Sequence, residues 1–488
     1  MHFTRSPIAL AFFAVRFKPN NPFKTAEPIR FQLVDVCKIK KQGFSKRRGR
    51  FILCALGICL PTLAQAQVTP PKSKQDSIAR ADSIARADSI ALVKQLEKEL
   101  GQPAADSSTT VAAQGPRATG GYMNIGFVAL TDAGWSTEPD VGSIQVGDHD
   151  PHVNGFSIPN VELTLDGAVD PYFKGFSNIV YKLDKNGETG VELEEAYVLT
   201  TALPASLQLK VGQFFTEFGR QNPQHPHAWA FVDEPLVLNR MFGPDGLRSQ
   251  GLRLSWLLPT SFYTEALLTV VNATGGTASS FRSPDSPEIH GGVVNERLVE
   301  RVSDLLLVPR LNTSFDLTET QTIVLGASAA FGPNNSGPSA RTQVYGVDAY
   351  WKWKPAAAQA GFPFLSLQSE AMFRQYDAAQ RIAAADPTVT LPSEMLKDRG
   401  AYAQVLWGIK PRIVAGLRGE FASGDAAAFV SELRRDRTRV SPNFTWYPTE
   451  FSKFRIQYNY DDRKGIGTDH SLWFQFEFLL GAHAAHKF

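Results

Sequence analysis

From about residue 121 to the end, the chain repeats one pattern: short segments in which every second residue is apolar, separated by turns. In Phe454-Arg455-Ile456-Gln457-Tyr458-Asn459-Tyr460-Asp461 the apolar set and the polar set alternate strictly. In Leu472–Phe478 the positions 472, 474, 476 and 478 are all apolar, while Gln475 and Glu477 fall between them. Period two is the strand signature. It predicts strands at roughly 121–130, 153–167, 171–183, 188–201, 206–219, 247–258, 261–272, 304–317, 321–332, 340–354, 363–377, 398–410, 412–422, 432–446, 452–462 and 470–480. The fold class is all-β with about sixteen strands.

Loop lengths narrow the architecture. Connections after even-numbered strands are short, such as Leu203-Pro204-Ala205, Leu258-Pro259-Thr260 and Tyr447-Pro448-Thr449-Glu450. Those after odd-numbered strands are mostly longer: 131–152, 220–246, 273–303 and 378–397. Short turns at one end and long loops at the other predict a transmembrane antiparallel β-barrel with both termini on the periplasmic side. In lipid every backbone N–H and C=O must pair internally, so the sheet has to close. Sixteen strands enclose a channel wider than a side-chain-filled core. Aromatics near strand ends (Trp256, Phe262, Tyr263, Tyr350, Trp351, Trp353, Trp407, Trp446, Tyr447 and Phe451) are expected at the membrane interfaces. One strand resists this parity: Glu194 and Glu195 are adjacent, which calls for a bulge or a subunit contact.

The first 120 residues have a different texture. Lys46, Arg47, Arg48 and Arg50 precede an apolar stretch, Phe51–Leu63, and a small-x-small site, Ala64-Gln65-Ala66. This is the pattern of a secretory signal peptide cleaved after Ala66. Residues 1 to about 35 have no role in it, as expected if translation starts near Leu33, Val34 or Val36. From 67 to 120 the hexad Asp76-Ser77-Ile78-Ala79-Arg80-Ala81 recurs at 82–87 and begins again at 88, pairing Asp76 with Arg80 at i,i+4. That supports a helical periplasmic segment, either a solvated spacer or a short oligomerising helix, followed by a linker. The isoleucines advance by six and build no coiled-coil seam.

Composition removes whole classes. All three cysteines (Cys37, Cys54 and Cys59) precede the cleavage site, so the mature chain has no disulfide framework, thiolate metal site or cysteine nucleophile. The 488-residue chain carries +2, but residues 67–488 hold 38 Lys/Arg against 46 Asp/Glu, a net of about −8. Nucleic acid as a partner has no electrostatic basis. Neither a G-x-S-x-G elbow, an H-E-x-x-H motif nor a phosphate-cradling P-loop occurs, and the chain is not expected to be an enzyme. The barrel region alone carries 31 Lys/Arg against 40 Asp/Glu, which predicts a mild cation preference.

Glu195-Ala196-Tyr197, followed by Leu207-Gln208-Leu209-Lys210-Val211-Gly212-Gln213-Phe214 and Phe218-Gly219, resembles the phosphate-selective porin O/P-like family of outer-membrane porins. The resemblance implies a sixteen-stranded porin, usually a homotrimer, in the outer membrane of a Gram-negative bacterium. Phosphate selectivity does not follow from it, because no arginine ladder stands out beyond residues 434–439. The terminal Phe488 is the kind of residue that barrel assembly machinery reads. The last eight residues also look like those of barrels labelled zinc-regulated outer-membrane receptors.

Loop 220–246 follows the fifth strand and is by count the third extracellular loop, which in the porins it resembles folds inward and narrows the channel. Its apolar run His227-Ala228-Trp229-Ala230-Phe231 suits a packed loop. Arg220, His225, His227, Asp233, Glu234, Arg240 and Asp245 are therefore the constriction candidates. The alternative is that these charges only pin the loop to the wall. Strand parity makes Glu192, Glu194, Arg253, Arg435, Arg437, Arg439, Arg455 and Glu477 lumen candidates. The arginines at 435–439 read equally as a solvated strand end. His225/His227 and His483/His486 are candidate zinc ligands, two per pair where a site needs three or four. The expected function is passive diffusion of small polar solutes or ions through a water-filled barrel, with no catalytic residues and no cofactor. The alternatives are a zinc-binding or zinc-admitting barrel and a closed structural or assembly barrel.

Overall fold

The computed structural model describes residues 123–144, 147–184, 186–274, 276–282, 288–295 and 298–481. The signal peptide, the hexad repeat, His483, His486 and Phe488 lie outside the described residues. No helix among the described residues is long and apolar enough to cross a membrane. Sixteen antiparallel strands close into one barrel. They are β1 (Asn124–Ser136), β2 (Gly155–Ala168), β3 (Phe173–Leu183), β4 (Thr189–Thr200), β5 (Leu207–Phe215), β6 (Arg248–Leu257), β7 (Tyr263–Val271) and β8 (Leu306–Thr318). They continue with β9 (Gln321–Pro333), β10 (Arg341–Trp353), β11 (Phe364–Ala378), β12 (Glu394–Lys410), β13 (Ile413–Gly424), β14 (Arg437–Thr449), β15 (Ser452–Arg463) and β16 (Gly467–Gly481). Each strand pairs with its neighbour in sequence, and β16 returns to β1, with Phe127 opposite Leu480 and Gly134 opposite Trp473. No edge is left to expose unpaired N–H and C=O groups.

Every expected strand has its counterpart, and the differences sit at the long-loop end. β5 stops at Phe215, short of residue 219, because the chain turns inward: Phe218 packs edge-on against Phe242, ring centroids 4.9 Å apart. Gly219 has φ +64°, and a Cβ there would collide with Glu370. β14 begins at Arg437, not 432, since Glu432–Arg434 is a single 3₁₀ turn. β4 contains the expected bulge. Asn178 pairs with Glu195 and Ile179 with Leu193, so Glu194 is the extra residue. The bulge shifts the side-chain parity, and both Glu194 and Glu195 point inward and are buried.

Inside and outside are inverted relative to a soluble sheet. Along β15, Lys453, Arg455, Gln457, Asn459 and Asp461 are buried, while Phe454, Ile456, Tyr458 and Tyr460 are exposed. An apolar outer face with Trp256, Tyr263, Trp407, Trp446 and Phe451 towards the short-turn end fits hydrocarbon flanked by an aromatic girdle. Tyr350 and Tyr447 are not part of that girdle. Strand parity turns both inward, where Tyr350 lies under the Arg220 guanidinium at 4.1 Å. The barrel also holds an apolar core of its own. Helix α1 (Leu236–Phe242) buries Val237, Leu238, Met241 and Phe242 against Phe218, Phe281, Val344 and Met372.

The lipid-facing assignment makes a direct prediction. Leu417→Arg, on the exposed middle of β13, should cost about 2–4 kcal/mol in micelle or bilayer unfolding, and Thr449→Arg, at the edge of β14, about 0–1. Equal costs at the two sites would contradict the placement of the apolar band.

Candidate functional site

Segment 216–247 leaves β5 and runs through the barrel interior before rejoining the wall at β6. An irregular chain in such a place needs partners for its backbone groups, and inward side chains of distant strands provide them. The Glu370 carboxylate accepts from the N–H groups of Arg220 (3.0 Å) and Gln221 (2.6 Å). Lys453 donates to the His227 carbonyl, Arg455 to those of Trp229 and Phe231, and Asn443 to that of Ala230. Gln457 accepts from the Val232 N–H at 2.8 Å, Arg439 donates to the Glu234 carbonyl at 2.8 Å, and Glu420 accepts from the Leu236 N–H at 2.6 Å.

Asp233 is the most heavily held residue of the segment. It pairs with Arg418 and with Arg439 (3.1 Å) and accepts from Gln457 and Asn459, both at 2.9 Å. Burial opposes its charge, but Arg439 and Arg418 outweigh that and bring its pKa from 3.8 down to about 2. Glu234 is the opposite case. Burial, reinforced by Asp150 and Asp245, pushes its carboxyl well above the ordinary range. Asp233 therefore pins the loop to the wall.

A second cluster lies against β2–β4. His225 sets Nδ1 2.7 Å from Glu194 and Nε2 2.8 Å from Glu195, and His227 Nδ1 is 2.9 Å from Glu162. Asn178 donates to Glu194 at 2.6 Å, and Asn160 donates to Glu162 at 2.5 Å. His149, from the loop between β1 and β2, brings Nε2 within 3.2 Å of Asp245. The His225 and His227 rings stack at 5.7 Å, and His225 Nδ1 also comes within 3.9 Å of the Glu162 oxygen that His227 meets at 2.9 Å.

At the long-loop end, a cavity of about 730 Å³ opens between α1, β11 and the loop 425–436. Arg240, Arg374, Arg434, Arg435, Arg437 and Arg463 line it, together with Glu138, Glu432 and Asp436. Three of these guanidinium groups share one carboxylate. Asp398 lies 2.6 Å from Arg374, 3.1 Å from Arg434 and 3.9 Å from Arg240. Burial, with repulsion from Arg374, Arg437 and Arg434, lowers the Arg240 pKa to about 10 despite Asp398.

All seven loop candidates thus lie inside the barrel. Of the lumen candidates, Glu194, Arg253, Arg439, Arg455 and Glu477 are buried inward residues, and Arg437 faces inward at the start of β14, beside Asp461. Arg253 braces Glu217 at the foot of the loop (2.6 Å), and Glu477 pairs with Lys453 (2.6 Å). Glu192 is only half-buried, bridging Lys182 and Arg248. Arg435 departs from the expectation of a shared strand face. It sits in the loop before β14, donating to the Gly465 carbonyl. Sequence reasoning missed Glu162, Asn178, Asp398, Arg418 and Glu420. Parity along Val414-Ala415-Gly416-Leu417-Arg418-Gly419-Glu420 would have found the last two.

An edgeless sheet of sixteen strands, apolar outside and charged inside, defines a transmembrane β-barrel of the bacterial outer membrane. The chain belongs to the same family as an uncharacterized protein of Aquifex aeolicus (strain VF5), to which it is 33% identical over 359 residues, 68% of this chain and 70% of that one. No family model matches it, so the likeness of residues 194–219 to the phosphate-selective porins stays a resemblance. Solved structures similar to it include the outer-membrane channel DcaP of Acinetobacter baumannii, with TM-score 0.47 and 11% identity over 73% of this chain and 97% of that one. Another is an anion-selective porin from Comamonas acidovorans, with TM-score 0.46 and 7% identity over 73% and 99%. At those scores neither likeness carries an argument about this chain.

The Asp233 ion pairs have a defined pH signature. Because its pKa is lowered, their stabilisation is complete above the ordinary 3.8 and disappears as pH falls towards about 2. Thiol labelling of Ala230→Cys should therefore rise across that window. Asp233→Asn should label readily at neutral pH and lose about 3–5 kcal/mol of stability, as expected for one partner removed from a buried charge cluster.

Proposed function

We propose that the protein is an outer-membrane channel for passive diffusion of small polar solutes, narrowed by segment 216–247 and biased towards anions at its outer mouth. The observation that carries this reading is the arginine-lined cavity at the long-loop end, where Asp398 faces three guanidinium groups. One carboxylate against three cations leaves a surplus of about two positive charges in a recess where water screens them poorly. Such a ring favours small anions over cations. The Arg240 Nη1 is buried there without a hydrogen bond, 3.9 Å from Asp398.

The net acidic balance of the barrel argues for cations only while its carboxylates are free. Several of those in the lumen are matched: Glu420 with Arg418 and Arg439, Asp348 with Arg310, Asp461 with Arg437, and Glu477 with Lys453. Below the loop, inward residues such as Lys210, Asn312, Tyr350 and Lys352 are only half-buried, consistent with an inner vestibule. Assembly as a trimer belongs to the same reading. A second reading, a closed barrel, is favoured by how completely the inward residues of β13–β16 are covered.

Planar-bilayer recording under a KCl gradient separates these readings. The expected result is stable steps with an anion-directed reversal potential that moves towards zero in Arg240→Gln/Arg434→Gln. A cation-directed potential would overturn the anion bias, and an absence of conductance at any voltage would establish the closed barrel.

A further inference from the structure

His149, Glu194 and Asp245 come from three separate places, the loop after β1, the bulge of β4 and the end of the inserted segment, yet they aim one atom each at a common point. His149 Nε2 lies 3.2 Å from an Asp245 oxygen and 3.6 Å from Glu194 Oε1, and all three atoms fall within 4.8 Å of one another. The side chains of His149, Glu194 and Asp245 are 2%, 1% and 5% exposed. Ligands about 2.0–2.1 Å from a tetrahedral zinc are separated by about 3.3 Å, close to the two shorter sides of this triangle.

Every other polar atom of the three residues has a role elsewhere. The second oxygen of Glu194 is held by Asn178 (2.6 Å) and His225 (2.7 Å). The second oxygen of Asp245 is held by Arg248 (2.6 Å). His149 Nδ1 faces the Pro159 carbonyl at 3.4 Å, which fixes Nδ1 as the protonated nitrogen and turns Nε2 towards the two carboxylates. This is the supporting arrangement that orients metal ligands. Glu194 Oε1, by contrast, is buried and makes no hydrogen bond; its one charged neighbour is His149 Nε2 at 3.6 Å, too far for a good hydrogen bond.

We propose that His149, Glu194 and Asp245 form a binding site for a divalent transition metal, with zinc as the ion to test. The charge balances, since two carboxylates and a neutral imidazole match a dication, and the donor set of one nitrogen and two oxygens suits zinc better than calcium or magnesium. Three protein ligands leave one coordination position for water. Asp148 and Glu192 also cluster with Asp245 and are more exposed, and Lys182 pairs with both of them. A bound ion would clamp the first long loop and the inserted segment to β4. The competing arrangement is a doubly ion-paired imidazolium at His149, which needs no metal.

The test is a zinc titration of the mature chain, purified in detergent and stripped with chelator, read against a chromogenic zinc competitor. X-ray absorption on the loaded protein reports the ligand types. The expected result is one zinc per chain in a nitrogen/oxygen shell. Affinity should fall by at least about ten-fold in Glu194→Gln and His149→Ala, and by about 10–100-fold in Asn178→Ala, which only positions Glu194. His483→Ala/His486→Ala should leave the stoichiometric site intact. Each variant's folding is checked by heat-modifiable migration, and Glu194→Gln, the near-isosteric change, decides if His149→Ala does not fold. Absence of stoichiometric zinc in the wild type, or full affinity in Glu194→Gln, would overturn the site. So would loss of zinc on removal of His483 and His486. None of these outcomes depends on whether the barrel conducts.

Discussion

The arrangement of this barrel rests on one requirement: a stretch of irregular backbone placed inside a closed sheet must find hydrogen-bond partners away from bulk water. Segment 216–247 cannot pair with the wall's backbone, because neighbouring strands already use those groups. The wall meets the need with side chains. Arg455, Asn443 and Lys453 donate to successive carbonyls of the segment, and Gln457, Glu420 and Glu370 accept from its N–H groups. The charged inner face is therefore the support on which this loop rests.

Asp233, expected at a constriction, is enclosed by Arg418, Arg439, Gln457 and Asn459. Removing charged groups from water costs several kcal/mol per ion, which only a complete set of partners offsets. Cationic surplus survives where that set is incomplete, around Asp398 at the mouth, and an orphaned carboxylate oxygen survives at Glu194. Buried groups of these two kinds are where ligands have something to gain.

Strand number, order and loop asymmetry were legible in the sequence because a membrane barrel writes its geometry directly into period two. Lys453 to Tyr460 alternates without exception, and lipid tolerates few deviations. The bulge at Glu194 was visible as a break in parity. Its result was not, because deciding whether two adjacent glutamates share a face requires the register against β3. The site was legible only in part. The loop was identifiable from its apolar run, but its partners lie more than 180 residues away on β13–β15, and no local pattern links His149 to Asp245. Arg435 was misassigned because a short 3₁₀ turn interrupts what reads as one continuous alternating strand.

The inserted segment also ties together the two arcs that flank the β16–β1 seam, reaching β2–β4 through His225 and His227 and β13–β15 through Asp233. These attachment points come from the first and last quarters of the barrel, so they exist together only after the sheet has closed. Contacts of such long sequence separation form late and slowly. The full set of attachments of the inserted segment therefore presupposes a closed sheet, and its seating completes the interior only after the wall is complete.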